Sequence, residues 1–394
     1  MNKVKTIVIG ITGGIAAYKT LDVISKLKKL NYNVHVIMTS NAQMFVTPLS
    51  FQTMSQNMVV TDMFHESKSW EIEHISLAKK ADMILIAPAS ANIIGKIAGG
   101  ICDDILSTTI MAAKCHIVFA PAMNSNMYEN EILQDNIEKL KAKGFLFIAP
   151  QIGRLACGDV GRGKLADPSS IVEAVEEILY DKKDLKGKKV LVTAGPTIAC
   201  IDPVRFITNR SSGKMGYAIA EEAKLRGAEV ILVSGPTNLK AFDGIEVINV
   251  KTNNEMLNCV IKHFENCDIV IKSAAVADYK TKVYSQKKIK KSEDEFDLRL
   301  VKDIDILKKL GSLKTKQILV GFAAESNDLI QNAKEKLSKK NLDYIVANDI
   351  TATDAGFASD DNRVTVIQKD GSSISLEKMS KVEIARRLFD IINK

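Results

Sequence analysis

The sequence predicts an α/β protein of two doubly wound parallel-sheet domains, and three observations carry that expectation. Short β-rich runs that read apolar on both faces alternate with stretches of helical spacing, as in strands covered by helices on both sides. The alternation breaks once, at the charged stretch Asp181-Lys182-Lys183-Asp184-Leu185-Lys186-Gly187, and then restarts. At 394 residues the chain is long enough for two or three domains, each with its own core.

In chain order, Val4–Ile9 reads as a strand that Gly10, Gly13 and Gly14 break. Ile15–Leu30 carries Ala16, Leu21, Ile24 and Leu27 at helical spacing, and Val34–Met38 is β-rich again. Further buried-type strands are expected at Met83–Ala87, His116–Ala120 and Phe145–Ile148, with helices over 92–98, 104–113, 126–142 and 169–180. After the break, Lys189–Ala194, Glu229–Val233, Asp268–Ile271, Gln317–Gly321 and Tyr344–Ala347 read as strands, and Lys214–Arg226 as a helix. Arg363–Gln368 and Ser373–Leu376, separated by Asp370-Gly371, read as a hairpin, and Lys381–Ile392 as a closing amphipathic helix. The expected domains are 1–182 and 188–394.

Composition narrows the class. An apolar share of 46% and a charged share of 26% exclude disordered, collagen-like and coiled-coil chains. No apolar run approaches the roughly 18 residues of a bilayer span, so no membrane partner is expected. The first residues lack the long apolar stretch of a signal peptide. Six scattered cysteines without a C-x-x-C pair suggest neither a disulfide framework nor a zinc site, and fit the cytoplasm. A net charge of +7 suits anionic ligands without indicating nucleic acid.

Several segments carry chemistry. Gly10, Gly13 and Gly14 join a strand to a helix, where free N–H groups suit a phosphate-bearing cofactor or simply make a tight turn. An NAD(P) site would place an acidic or basic ribose selector after the second strand. Thr39-Ser40 stands there, and Ser234-Gly235 at the equivalent place in the second half, so an NAD(P)-dependent oxidoreductase is disfavoured. The run Gly158–Lys164 is followed by Leu165 rather than a hydroxyl residue, which argues for a Gly-rich flap and against a phosphate loop. Asn124 follows a buried strand; it suits a carboxylate or amide site, or caps the next helix, the commoner role. Cys157 is the least core-like cysteine, and His74 precedes a helix that feeds the sheet. In the second half, Asn209–Gly216 is rich in donors and opens a helix, Asp278 stands at a strand end suited to a metal–phosphate group, and Lys287-Lys288-Ile289-Lys290-Lys291 is a concentrated basic loop. Lys336 and Lys340 share one helix face.

Taken together these segments resemble the bacterial bifunctional family that fuses phosphopantothenoylcysteine decarboxylase to phosphopantothenate–cysteine ligase in coenzyme A biosynthesis. In the first half the resemblance rests on Gly13–Lys19, His74-Ile75, Pro88–Asn92, Pro121–Tyr128 and Ala156-Cys157-Gly158-Asp159; in the second, on Ala194–Thr197, Asp202–Arg205, Asn209–Gly216, Ala274–Tyr279, Lys288–Lys291, Gly321–Glu325 and Ala347–Asp349. It covers essentially the whole chain and implies two Rossmann-like domains, the N-terminal one flavodoxin-like. It further implies a ligase that uses CTP and Mg²⁺ to activate the carboxylate of 4′-phosphopantothenate as an acyl-cytidylate, from which the amine of cysteine displaces CMP. FMN then acts as a temporary electron sink while CO₂ leaves, giving 4′-phosphopantetheine. By the same resemblance, FMN contacts Gly13, Gly14, Ile15, Thr39, Ser90, Ala91, Asn92 and Ala122. His74 is the base, Asn124 holds the substrate carboxylate, and Cys157 protonates the product from a flap. Asn209 binds the acyl group and Arg205 supports it. Ala274, Asp278, Lys288, Phe322, Lys336 and Lys340 hold CTP, with Asp278 on the metal. The family implies a homo-oligomer, with trimeric decarboxylase contacts, dimeric ligase contacts and a dodecamer in all. A flavin-binding regulator on the same fold is the other alternative. It would tolerate the loss of His74 or Cys157, and both are present.

Overall fold

The structure is a computed structural model and describes residues 4–64, 72–156, 158–290, 297–325, 329–349, 359 and 361–393. Cys157, His65 and Lys291 lie outside the described residues. The chain divides into two compact units, Met1–Leu179 and Tyr180–Lys394.

In the first unit, β1 (Thr6–Ile11), β2 (Asn33–Met38), β3 (Val59–Val60), β4 (Met83–Ala89), β5 (His116–Pro121) and β6 (Leu146–Phe147) form one sheet in the order β3-β2-β1-β4-β5-β6. Every pairing in it is parallel. Alternate residues of β1 enter two separate cores. Ile7 and Ile9 pack with Val23, Ile24 and Leu27 of the helix Thr20–Lys29. Val8 packs with Ile93, Ile94 and Ile97 of the helix Ala91–Gly99. Every residue of β4 is buried, the outcome expected of a strand covered on both faces. Each fully buried aliphatic side chain contributes about 1.5–3 kcal/mol.

The segment read as a Gly-rich flap forms half of an antiparallel hairpin, β7 (Gln151–Arg154) with β8 (Val160–Lys164). Its composition hides the strand because glycine is a poor β former. The reason for the glycines is backbone contact. Met123 N donates to Gly163 O at 2.9 Å, and a Cβ on Gly163 would run into the Met123 carbonyl. A Cβ on Gly161 would run into Ser125 Oγ.

In the second unit, β9 (Lys189–Ala194), β12 (Glu229–Ser234), β13 (Glu246–Asn249), β14 (Ile269–Lys272), β17 (Ile318–Glu325), β18 (Tyr344–Asp349), β19 (Asp361–Gln368) and β20 (Ser373–Ser380) form a sheet in the order β13-β12-β9-β14-β17-β18-β19-β20. The first six are parallel, whereas β19 runs antiparallel to β18 and β20 antiparallel to β19. This sheet is therefore mixed: the hairpin expected at the C-terminal end joins its edge. Two small antiparallel ribbons complete the unit, β10 (Ile198–Cys200) with β11 (Phe206–Thr208) and β15 (Tyr279–Thr281) with β16 (Leu300–Lys302).

Two packing details fix the helix Lys214–Leu225. At its start Gly216 lies so close to β9 that a Cβ would come within 2.5 Å of Ala194 Cβ and 2.9 Å of Thr193 O. Just past its end the Arg226 side chain is wholly buried. It donates to Glu222 at 2.7 Å, Asp184 at 3.1 Å, Asp390 at 2.7 Å and the Arg386 carbonyl at 2.8 Å. The Tyr180 hydroxyl donates to the same Glu222 carboxylate. Among the described residues no helix is long and apolar enough to cross a membrane.

Candidate active sites

A doubly wound sheet opens a crevice where neighbouring strands send their connections to opposite faces, and ligands settle there at the carboxyl ends of the strands. In the first unit that point lies between β1 and β4. Gly13 and Gly14 follow β1, Thr39 follows β2, Ser90 follows β4, and Ala122 follows β5. The loops are tied to one another. Thr12 Oγ1 donates to Pro88 O at 2.7 Å and accepts from Ser90 N at 3.0 Å, and Ala122 N donates to Ala89 O at 3.0 Å. Ser90 caps the helix Ala91–Gly99 through its side chain, and Thr39 N donates to Ile11 O at 3.0 Å.

This crevice fits a phosphate-bearing flavin. A Cβ on Gly13 would lie 2.6 Å from Asn41 Cβ, so only glycine brings the turn this close to the loop after β2. Gly14 has open space where a side chain would stand. Free N–H groups at the start of the helix Ala91–Gly99 supply positive potential for a phosphate.

Asn124 takes up the capping role. Its side-chain oxygen accepts from Asn126 N at 2.9 Å at the start of the helix Ser125–Tyr128. Its amide Nδ2 donates to Asp159 Oδ2 at 3.1 Å. Asp159 belongs to the link between β7 and β8, so this bond joins the hairpin to the loop after β5. His74 is half-buried in the first turn of the helix Glu73–Lys80, one residue inside the element rather than before it.

In the second unit the corresponding crevice lies between β9 and β14 and holds a pocket of about 560 Å³. Asn209, Ala274, Asp278, Phe322, Lys336 and Lys340 all line it. The donor-rich segment Asn209–Gly216 forms one wall. Its shape follows from local bonds: Ala274 N donates to Thr193 Oγ1 at 3.1 Å, Ala277 N to Thr197 Oγ1 at 3.0 Å, and Asn209 Nδ2 to Ala275 O at 3.2 Å and Val276 O at 2.9 Å.

Arg205 and Lys288 are not part of this lining. Arg205 is tied through Asp202, which is only 2% exposed, to Ile289, the chain neighbour of Lys288. The Asp202 carboxylate accepts from Val204 N at 2.7 Å, Arg205 N at 2.8 Å, Arg205 Nη1 at 2.9 Å and Ile289 N at 3.2 Å, and Arg205 Nη1 also donates to Ile289 O at 3.1 Å. Burial would raise the Asp202 pKa, but these donors and the Arg205 charge hold it below the usual carboxylate range.

The pocket also contains Lys272, Asn362 and Lys381, which sequence reasoning missed, and Asp303, Asp305 and Asn348, which it gave no role as single residues. Asp305 caps the helix Ile306–Leu313 through Lys308 N and forms an ion pair with Lys340 at 2.8 Å. Asp303 pairs with Lys280 at 2.9 Å. Among the described residues no three His, Cys, Asp or Glu side chains cluster as a metal site. Lys272 had a readable signal, a charge closing the apolar run of β14.

The chain matches two family models end to end. Residues 1–180 match the model described as Flavoprotein, and residues 185–394 match the DNA/pantothenate metabolism flavoprotein C-terminal domain. A Bacillus subtilis relative named Coenzyme A biosynthesis bifunctional protein CoaBC is 47% identical over 393 residues, 99% of this chain and 96% of the relative. A Borreliella burgdorferi relative of the same name is 44% identical over 395 residues, covering all of both chains. A solved structure of the C-terminal domain of a protein of that name is 47% identical, covers 53% of this chain and 95% of its own, and has a TM-score of 0.46.

Proposed function

The chain belongs to the family of coenzyme A biosynthesis bifunctional proteins, and from that premise we propose how its two crevices divide the chemistry. It is a bifunctional enzyme with decarboxylase and ligase activities, and a flavoprotein. On our reading residues 185–394 ligate 4′-phosphopantothenate to cysteine at the expense of CTP, and residues 1–180 decarboxylate the product with FMN. The observation that supports this most is the second-unit pocket, where Asn209, Asp278, Phe322, Lys336 and Lys340 converge.

A free carboxylate does not acylate an amine at neutral pH, so it must first gain a leaving group. Attack of the 4′-phosphopantothenate carboxylate on the α-phosphorus of CTP forms the acyl-cytidylate and releases pyrophosphate. Attack of the cysteine amine on the acyl carbon then releases CMP. Lys336 and Lys340 offset the phosphate charge, and Asp278 would hold a Mg²⁺ ion, which would supply further charge neutralisation there. Asn209 exchanges one of its bonds to the Ala275 and Val276 carbonyls for the substrate. Arg205 supports the substrate and Lys288 contacts CTP, their loops tied together by the bonds of Asp202 and Arg205 to Ile289.

In the first unit, Gly13, Gly14, Ile15, Thr39, Ser90, Ala91, Asn92 and Ala122 would hold FMN. When bound, FMN supplies a reversible two-electron sink, which the loss of CO₂ from a cysteinyl carboxylate requires. Asn124 orients that carboxylate through its amide Nδ2. His74 takes a proton at an imidazole nitrogen, and Cys157 returns one to the product from its Sγ. The apolar side chains Met44, Leu49, Met58 and Phe64 are exposed, which suits contacts between copies in a homo-oligomer. Among the described residues the cysteines are free of disulfides, which suits the cytoplasm.

Incubation with 4′-phosphopantothenate, cysteine, CTP and Mg²⁺, followed by mass analysis, tests the reading. 4′-Phosphopantetheine is the expected product. Accumulation of 4′-phosphopantothenoylcysteine by a flavin-loaded protein would refute the first-unit assignment, and failure to release CMP would refute the second.

A further inference from the structure

β14 is apolar and buried until its last residue, Lys272, which ends the strand in the crevice and lines the pocket. The residue is only 9% exposed. An ammonium carries three N–H donors. One of them donates to Ala274 O at 2.7 Å, and the others meet no acceptor among the described residues. The neighbouring carboxylate of Asp305 is already engaged by Lys340 at 2.8 Å. A buried cation without a carboxylate partner weakens a fold, because nothing replaces its lost hydration. Burial and the Lys340 charge push the Lys272 ammonium down to about 8, and Asp305 and Asp278 oppose that shift only in part.

A second unsatisfied group lines the same pocket. Asn348, at the carboxyl end of β18, is 8% exposed, and its buried Oδ1 has no hydrogen-bond partner among the described residues. Polar atoms this buried are nearly always bonded, so the pocket floor is incomplete without a ligand. The Asn348 oxygen calls for a donor, whereas the spare donors of Lys272 call for an anionic oxygen.

Resting on the ligase reading above, we infer that Lys272 is a further binding residue of that pocket, giving a charged hydrogen bond to an anionic oxygen of bound substrate. The oxygen belongs to a nucleotide phosphate or to the 4′-phosphopantothenate carboxylate. On a nucleotide phosphate the interaction persists through the activation step, and on the carboxylate it is strongest in the bound reactant, so in either case it acts mainly on substrate affinity rather than on turnover.

Steady-state ligation by full-length Lys272→Met, with CTP and 4′-phosphopantothenate varied in turn, tests this. A charged hydrogen bond lost from a buried site raises the affected KM on the order of tenfold or more, with kcat changed by less than about threefold. A rise in the KM for CTP assigns the phosphate, and a rise in the KM for 4′-phosphopantothenate assigns the carboxylate. Lys272→Gln keeps a donor for Ala274 O without the charge, and should show the same KM defect with a circular-dichroism melt no lower than that of wild type. Unchanged KM values for both substrates in both variants, beside a wild type that ligates normally, would overturn the inference alone. A wild type that does not consume CTP would overturn the ligase reading and this inference with it.

Discussion

Asn124 donates through Nδ2 to the Asp159 carboxylate at 3.1 Å, across a gap of 35 residues in sequence. The donor assigned to the substrate carboxylate thus already holds a carboxylate, supplied by the protein's own β7–β8 hairpin. Substrate entry on this reading exchanges one carboxylate for the other and frees the hairpin link, next to Cys157, to rearrange.

Asn124→Asp should break that exchange. It sets two carboxylates about 3 Å apart and removes the only donors that the side chain offers to a substrate carboxylate. Decarboxylation of supplied 4′-phosphopantothenoylcysteine should fall by about a hundredfold or more, while the flavin spectrum stays unchanged. Normal turnover by this variant would remove Asn124 from the site.

Gly13→Val tests the cofactor crevice. The added Cβ meets Asn41 Cβ, and the branched side chain pushes the turn further from the loop after β2. The purified variant should be colourless while retaining its far-ultraviolet circular dichroism. A yellow protein with full flavin content would show that this turn lies away from the cofactor.

How much of this was legible in the sequence depends on what each residue does. The parallel strands announce themselves because both of their faces are apolar, as in Met83–Ala89. The β7–β8 hairpin does not, since Gly161 and Gly163 are selected for backbone approach to Met123 and Ser125 rather than for strand propensity. Motifs in contiguous runs, such as Asn209–Gly216, could be read directly. Lys272, Asp305 and Asn348 are single polar residues at the ends of separate elements, and only the sheet order brings them to one pocket. The same holds for Asp202, whose importance comes from Ile289, far away in sequence.

Asp202→Ala should uncouple that pair of loops. It removes the carboxylate that accepts from Val204 N, Arg205 N, Arg205 Nη1 and Ile289 N, at about 0.5–1.5 kcal/mol for a typical hydrogen bond. Ligase activity should drop more than tenfold and the melting temperature of the second unit by several degrees. A variant with unchanged ligation would mean that Arg205 and Lys288 do not depend on Asp202 for their positions.

Lys272 also makes a prediction about pH. Its folded-state pKa is lowered to about 8 from the ordinary lysine value of 10.5, so the unfolded chain binds the proton more tightly. The destabilisation is complete below pH 8, of order 3 kcal/mol, and fades as the pH rises to about 10.5. Lys272→Met should therefore melt higher than wild type at neutral pH, with the difference shrinking in alkali. Equal melting curves at pH 7 would show that the ammonium is better solvated than its burial suggests.

The Arg226 cluster bears on where the polypeptide may be divided. Tyr180 and Asp184 precede the first strand of the second sheet, yet their hydroxyl and carboxylate complete the shell around Glu222 and Arg226. A recombinant C-terminal half begun at Lys188 discards both partners and leaves a guanidinium sealed between two helices with fewer counter-charges. A fragment begun ahead of Tyr180 keeps them, and is the one to express for crystallisation or ligand screening.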